Sequence, residues 1–122
     1  MTCGPQFARF YREANVQNAR AHVSGCMGGR GFGFISHRGD VQTCGFLDIS
    51  AGNLVENGYD FAAIWDGSPF LNEIRDLPSY QGKCGRCAYL KICGGCRARA
   101  YTVTGDYLAA DPICDYEPGT KK

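Results

Sequence analysis

The chain has 122 residues, among them eight cysteines, 17 glycines and 5 prolines, and its 13 basic and 12 acidic side chains leave a net charge of +1. That length suits one domain with one modest core and leaves no room for a large enzyme barrel beside it. Near-zero charge excludes a general nucleic-acid or membrane-surface binder, which needs a basic surplus. No apolar run approaches the roughly 18 residues of a membrane span. The start, Met1-Thr2-Cys3-Gly4-Pro5, lacks the regions of a secretory signal, so the expectation is one soluble, cytoplasmic, cysteine-rich domain.

The first predicted element is a helix over residues 6–23, where Phe7, Phe10, Tyr11, Ala14, Val16 and Ala19 recur at helical spacing behind Pro5. The run Gly25-Cys26-Met27-Gly28-Gly29 then breaks regular structure. Alternation in 31–36 and 41–46 predicts two antiparallel strands, joined through His37-Arg38-Gly39-Asp40 as a tight turn. Gly52-Asn53 reads as another turn. Asp60 caps a short helix carrying Phe61, Ile64 and Trp65, which are read as core. Ser68-Pro69 opens a second helix with Phe70, Leu71 and Ile74 on its apolar face, and Pro78 stops it. Residues 82–96 are glycine, cysteine and basic side chains, too irregular for a packed element. Arg97 to Thr104 returns to good helix formers, with Gly105 as its stop, and the polar tail after Cys114 frays. The fold class is α+β: a small metal-stabilised domain with an N-terminal helix, a two-stranded antiparallel hairpin, short helices and long cysteine-rich loops.

Eight cysteines are about 7% of the chain, below the roughly 8–10% of disulfide scaffolds. With no export signal, clustered thiols in a reducing compartment read as metal ligands, because a bound metal stabilises thiolates that water leaves protonated. The strongest signal is Cys84-x2-Cys87-x5-Cys93-x2-Cys96. A zinc ribbon separates its two knuckles by roughly 12–20 residues so that two arms close one tetrahedron, and five is cramped for that. Dense runs in which one cysteine serves a different centre are a habit of iron–sulfur proteins. Cys114, behind Pro112, could complete a set, and Cys26 and Cys44 could start a second.

The pattern Cys26-x12-Gly39-x4-Cys44, the run from Cys84 to Cys96, and Cys114 resemble the SPASM domain, the auxiliary-cluster domain at the C-terminus of many radical S-adenosylmethionine enzymes. The common pattern has three residues between the last two cysteines of the run; here Gly94-Gly95 stand alone. That spacing, with Cys93-Gly94-Gly95-Cys96-Arg97-Ala98-Arg99-Ala100-Tyr101, Thr104-Gly105-Asp106, Asp111-Pro112, Ile35-Ser36-His37 and Thr2-Cys3-Gly4-Pro5-Gln6, is most similar to the enzymes of heme d1 and alternative heme biosynthesis. The resemblance implies two [4Fe–4S] clusters. Cys84, Cys87, Cys93 and Cys114 would hold one; Cys26, Cys44 and Cys96 would hold the other, with Cys3 as a candidate fourth ligand in place of an open iron. It divides the chain into a helical lead-in at 1–24, the cluster domain at 25–116 and a flexible tail at 117–122.

No cysteine triplet with the C-x3-C-x2-C spacing of a radical S-adenosylmethionine core occurs. The expectation is therefore a C-terminal piece of a longer enzyme that is not catalytic alone and has no catalytic residue of its own. By the same resemblance its partners are the radical core of the same polypeptide, a siroheme-derived tetrapyrrole or else a peptide substrate, and a reductant such as a ferredoxin or flavodoxin. Zinc is an alternative occupant of thiolate sites in an isolated domain, which would leave a structural binding module without a redox role. Among single residues, His37 and Asp40 read as turn residues, and His22 as a helix-end cation. Arg97 and Arg99, flanking Cys96 on the last helix, either line a solvated face, meet substrate carboxylates or offset cluster thiolates.

Overall fold

A computed structural model describes residues 4–13 and 25–118. The elements run α1 (Phe7–Glu13), β1 (Phe34–Ile35), β2 (Asp40–Gln42), β3 (Gly52–Asn53), α2 (Phe61–Gly67), α3 (Pro69–Arg75), a 3-10 turn (Leu77–Ser79), α4 (Gly82–Gly85) and α5 (Arg97–Thr104). Two compact units divide them: Met27–Asp76, and the residues before Met27 together with those from Leu77 onward. The α+β class holds. The second half of the expected 6–23 helix, with His22, lies outside the described residues, as does Cys3.

In the Met27–Asp76 unit the three strands form an antiparallel sheet in the order β1-β2-β3. Phe34 pairs with Gln42 and Ile35 with Val41; Asp40 pairs with Asn53 and Val41 with Gly52. The predicted strands are shorter than the alternation suggested, and the predicted hairpin gains a third strand where Gly52-Asn53 reads as a turn. The reason is contact: Asn53 Nδ2 donates to Asp40 Oδ1 at 3.0 Å, and a Cβ on Gly52 would come within 2.9 Å of Ile64 Cγ1. Only a bare backbone lets β3 lie this close to α2. The tight turn is as expected, Gly39 donating to Ser36 O at 2.9 Å with φ +88°.

Asp60 Oδ1 accepts from Ala63 N at 3.1 Å and Ser68 Oγ from Leu71 N at 3.4 Å, so both predicted helix starts are capped by the residues that the sequence offers. The core is Val41, Leu47, Ile64, Leu71 and Ile74, none above 8% exposed. Trp65 is half-buried, its ring 5.3 Å from Phe61 and under the Arg75 guanidinium. Arg75 donates to Gly29 O and Trp65 O, both at 2.7 Å, and so ties the glycine loop to α3.

In the other unit, α5 occupies the predicted span and ends at Gly105 with φ +81°. Residues 82–96 are less irregular than expected: α4 forms at Gly82–Gly85, because Gln81 N donates to Leu108 O at 2.8 Å and anchors the turn that carries Cys84. Among the described residues few large apolar side chains are buried here; Pro5, Ala8, Tyr80, Ala98 and Ala100 are, together with Arg97 and Asp111.

Candidate metal centre

Cys84, Cys87, Cys93 and Cys114 line a single cavity, which encloses about 430 Å³ with its open mouth included. Lys83, Gly95, Asp111 and Tyr116 contribute to the same wall. Each cysteine is placed by local backbone bonds. Cys87 N donates to Cys84 O at 3.3 Å, closing the first knuckle; Cys93 N donates to Tyr89 O at 2.8 Å; Cys114 N donates to Asp111 O at 3.1 Å. All seven described cysteines are half-buried and free of disulfides.

Backbone donors point at the sulfurs. Tyr89 N donates to Cys87 Sγ at 3.4 Å, Gly95 N to Cys93 Sγ at 3.3 Å and Asp111 N to Cys84 Sγ at 3.4 Å. In the first two the donor lies two residues past the cysteine, and in the Met27–Asp76 unit Phe46 N repeats the turn on Cys44 Sγ at 3.4 Å. An N–H aimed at a sulfur favours its charged form over its neutral one. Burial pushes the Cys87 and Cys93 thiols above the ordinary thiol range, and the backbone donors oppose this only in part. A metal bound there would displace those protons.

Gly94 and Gly95 both take positive φ, and a Cβ on Gly95 would come within 3.2 Å of Cys84 Sγ. The two-glycine spacing thus serves the approach of backbone to sulfur. Cys96 is absent from the cavity wall and caps α5; its N–H donates to Asp111 Oδ2 at 2.8 Å. Asp111 is 2% exposed and also accepts from Arg99 Nη2 at 2.7 Å and Nε at 3.0 Å. Burial would push its carboxyl up, but the bonds from Arg99, Cys96 N and Ile113 N outweigh burial and hold it below the ordinary carboxylate range. Sequence reasoning singled out Asp111 only within a quoted motif. The Asp-Pro pair before Cys114 is the local signal, and the distant partners give none.

Arg97 is 5% exposed, so the solvated-face reading fails for it: Nη2 lies 3.5 Å from Cys84 Sγ and the guanidinium stacks on Tyr80. Arg99 is partly exposed and paired with Asp111. His37 is exposed in its turn. Among the described residues, no three His, Cys, Asp or Glu side chains converge closely enough to hold a single ion; the four cavity cysteines surround a volume. That donor set, with N–H groups aimed at three of its sulfurs, fits a multi-atom iron–sulfur cluster.

A small α+β domain with a cysteine-lined cavity of this kind defines a metal-cluster domain. Residues 26–97 match the SPASM family, described as an iron–sulfur cluster-binding domain, and the chain belongs to it. It is 42% identical over 127 aligned residues to the AdoMet-dependent heme synthase of Nitratidesulfovibrio vulgaris, a match spanning 96% of this chain and 34% of that protein. It is 35% identical over 108 residues to the pre-heme d1 synthase of Dinoroseobacter shibae, covering 83% of this chain and 26% of the relative. The PqqA peptide cyclase of Rhodopseudomonas palustris is 37% identical over 99 residues, 76% of this chain and 26% of its own. The chain therefore spans between a quarter and about a third of the length of these curated relatives. No solved structure matches it. No helix among the described residues is long and apolar enough to cross a membrane.

Proposed function

We propose that this chain is the auxiliary-cluster domain of a radical S-adenosylmethionine enzyme of tetrapyrrole biosynthesis, carrying two [4Fe–4S] clusters. Cys84, Cys87, Cys93 and Cys114 hold one cluster. Cys26, Cys44 and Cys96 hold the other, with Cys3 as its candidate fourth ligand. The observation that carries the reading is the cavity itself: four cysteines around one volume, with backbone N–H groups on three sulfurs. The same N–H turn on Cys44 supports its place as a ligand. When bound, an iron–sulfur cluster supplies one-electron chemistry, and an iron left without a cysteine supplies a site for substrate.

The chain's own residues hold the thiolates, direct N–H dipoles at them and shield them from water. In the whole enzyme the domain follows a lead-in over residues 1–24 and serves a radical core that takes electrons from a ferredoxin or flavodoxin. The substrate class is a siroheme-derived tetrapyrrole, supported by the match to a heme synthase along 96% of the chain. The likeness to a PqqA peptide cyclase favours a peptide as the second reading.

Anaerobic reconstitution with iron and sulfide tests this, with iron, sulfide and zinc counted per chain and electron paramagnetic resonance on the reduced sample. About eight irons and two cubane-type signals are expected for two four-iron clusters. Zinc uptake alone, with no iron taken up when oxygen is excluded, would leave a zinc-structured module and sink the redox role. A change in one cluster's signal on adding a siroheme-derived tetrapyrrole, and none with a peptide, separates the two substrate classes.

A further inference from the structure

We propose that Arg97 is a positioning residue for the cluster held by Cys84, Cys87, Cys93 and Cys114, fixing Cys84 and raising the cluster's reduction potential through its buried positive charge. The inference rests on the ligand set proposed above. Arg97 is the first residue of α5, where the helix dipole favours anions and a cation gains nothing from the helix. Its side chain is nonetheless buried at 5% exposure.

Its contacts account for the neutral half of its needs only. Nη1 donates to Tyr107 O at 3.0 Å and Ala109 O at 2.6 Å, and the guanidinium lies 4.5 Å from the Tyr80 ring centroid. Nε is buried without a partner. The Asp111 carboxylate, two residues past Ala109, is taken by Arg99 and by Cys96 N, and Asp106 Oδ1, next to Tyr107, accepts from Leu108 N. No carboxylate among the described residues forms an ion pair with Arg97. A buried charge without a counter-charge is strongly unfavourable. Of the groups in contact with Arg97, the Cys84 sulfur, 3.5 Å from Nη2, is the one that would carry negative charge at neutral pH, as a cluster thiolate.

Gly95 keeps that contact open. A Cβ there would come within 2.5 Å of Arg97 Nη2 and 3.2 Å of Cys84 Sγ. Cluster thiolates therefore supply the anion that this cation lacks, and the cation in turn favours the more negative, reduced form. One electron from dithionite or an electrode adds one negative charge to the cluster, with no bond made or broken. Charge and hydrogen bonds at the sulfurs are what set such potentials.

The test compares the reconstituted wild-type chain with Arg97→Gln and Arg97→Lys, reading iron content and the midpoint potential of each cluster by redox titration followed by electron paramagnetic resonance. Arg97→Gln is expected to make one cluster at least tenfold harder to reduce, about 59 mV more negative for one electron, and to leave the other in place. Arg97→Lys, which keeps the charge, is expected to stay closer to wild type. Should Arg97→Gln lose the cluster, retention of iron and potential by Arg97→Lys supports the proposal. Unchanged potentials in Arg97→Gln, or equal shifts or equal iron loss in both variants, would overturn it while the ligand assignment stands. A wild-type chain that takes up no iron would instead overturn the ligand assignment, and this inference with it.

Discussion

Residues 27–76 bury Val41, Leu47, Ile64, Leu71 and Ile74, whereas the described residues of the other unit, before Met27 and from Leu77 onward, bury Pro5, Ala8, Tyr80 and two small alanines on α5. The first unit has caps at both helices and an arginine tying its glycine loop to α3. The second places a cysteine-lined cavity where a core would be. Each large aliphatic side chain contributes about 1.5–3 kcal/mol when buried. The first unit gains stability in this way; the described residues of the second have less to gain, and in the proposed reading it depends on what its cysteines bind. In the proposed reading, one chain joins a unit held by hydrophobic burial to one held chiefly by ligation.

The largest way to separate the two is to remove the iron. Amides of residues 77–118 should lose hydrogen-exchange protection when a reconstituted sample is treated with a chelator, and those of 27–76 should keep theirs. Leu71→Ala should do the reverse. Leu71 is fully buried, and its truncation should cost about 2–5 kcal/mol, seen as weakened protection in 27–76 with iron per chain unchanged. Asp111→Asn gives a smaller effect: losing the charge on Arg99 and Cys96 N should cost about 1–3 kcal/mol, read as a lower denaturation midpoint of the loaded chain.

The smallest effect is a pH dependence in the sheet. Asn53 and then Ser50 hydrogen-bond Asp40 and hold its carboxyl below the ordinary carboxylate range. Its contribution is present above the ordinary carboxylate pKa and is lost as pH falls through the lowered one. Acid titration of wild type against Asp40→Asn should show that loss in the wild type and a flatter profile in the variant.

What could be read from sequence was local. Asp60, Ser68-Pro69 and Gly105 act within three or four residues of themselves, so the helices they bound were legible, as was the cysteine run, whose spacing is its own signal. Gly52-Asn53 was not legible as a strand, because its pairing comes from backbone and from Asp40 across the sheet, while its composition is that of a turn. Arg97 and Asp111 were only half legible. An arginine at the start of a helix leaves a solvated face open as a reading until Tyr107 and Ala109 fold over it, and the Arg99 and Cys96 partners of Asp111 lie 12 and 15 residues away.

The most direct test of the central claim is the iron and sulfide content and the reduced-state electron paramagnetic resonance spectrum of two anaerobically reconstituted variants. One is Cys84→Ala with Cys93→Ala; the other is Cys26→Ala with Cys44→Ala. Each should lose about half the iron of a two-cluster chain, and each should keep the signal that the other has lost. Full iron and an unchanged spectrum after removal of Cys84 and Cys93 would contradict the account.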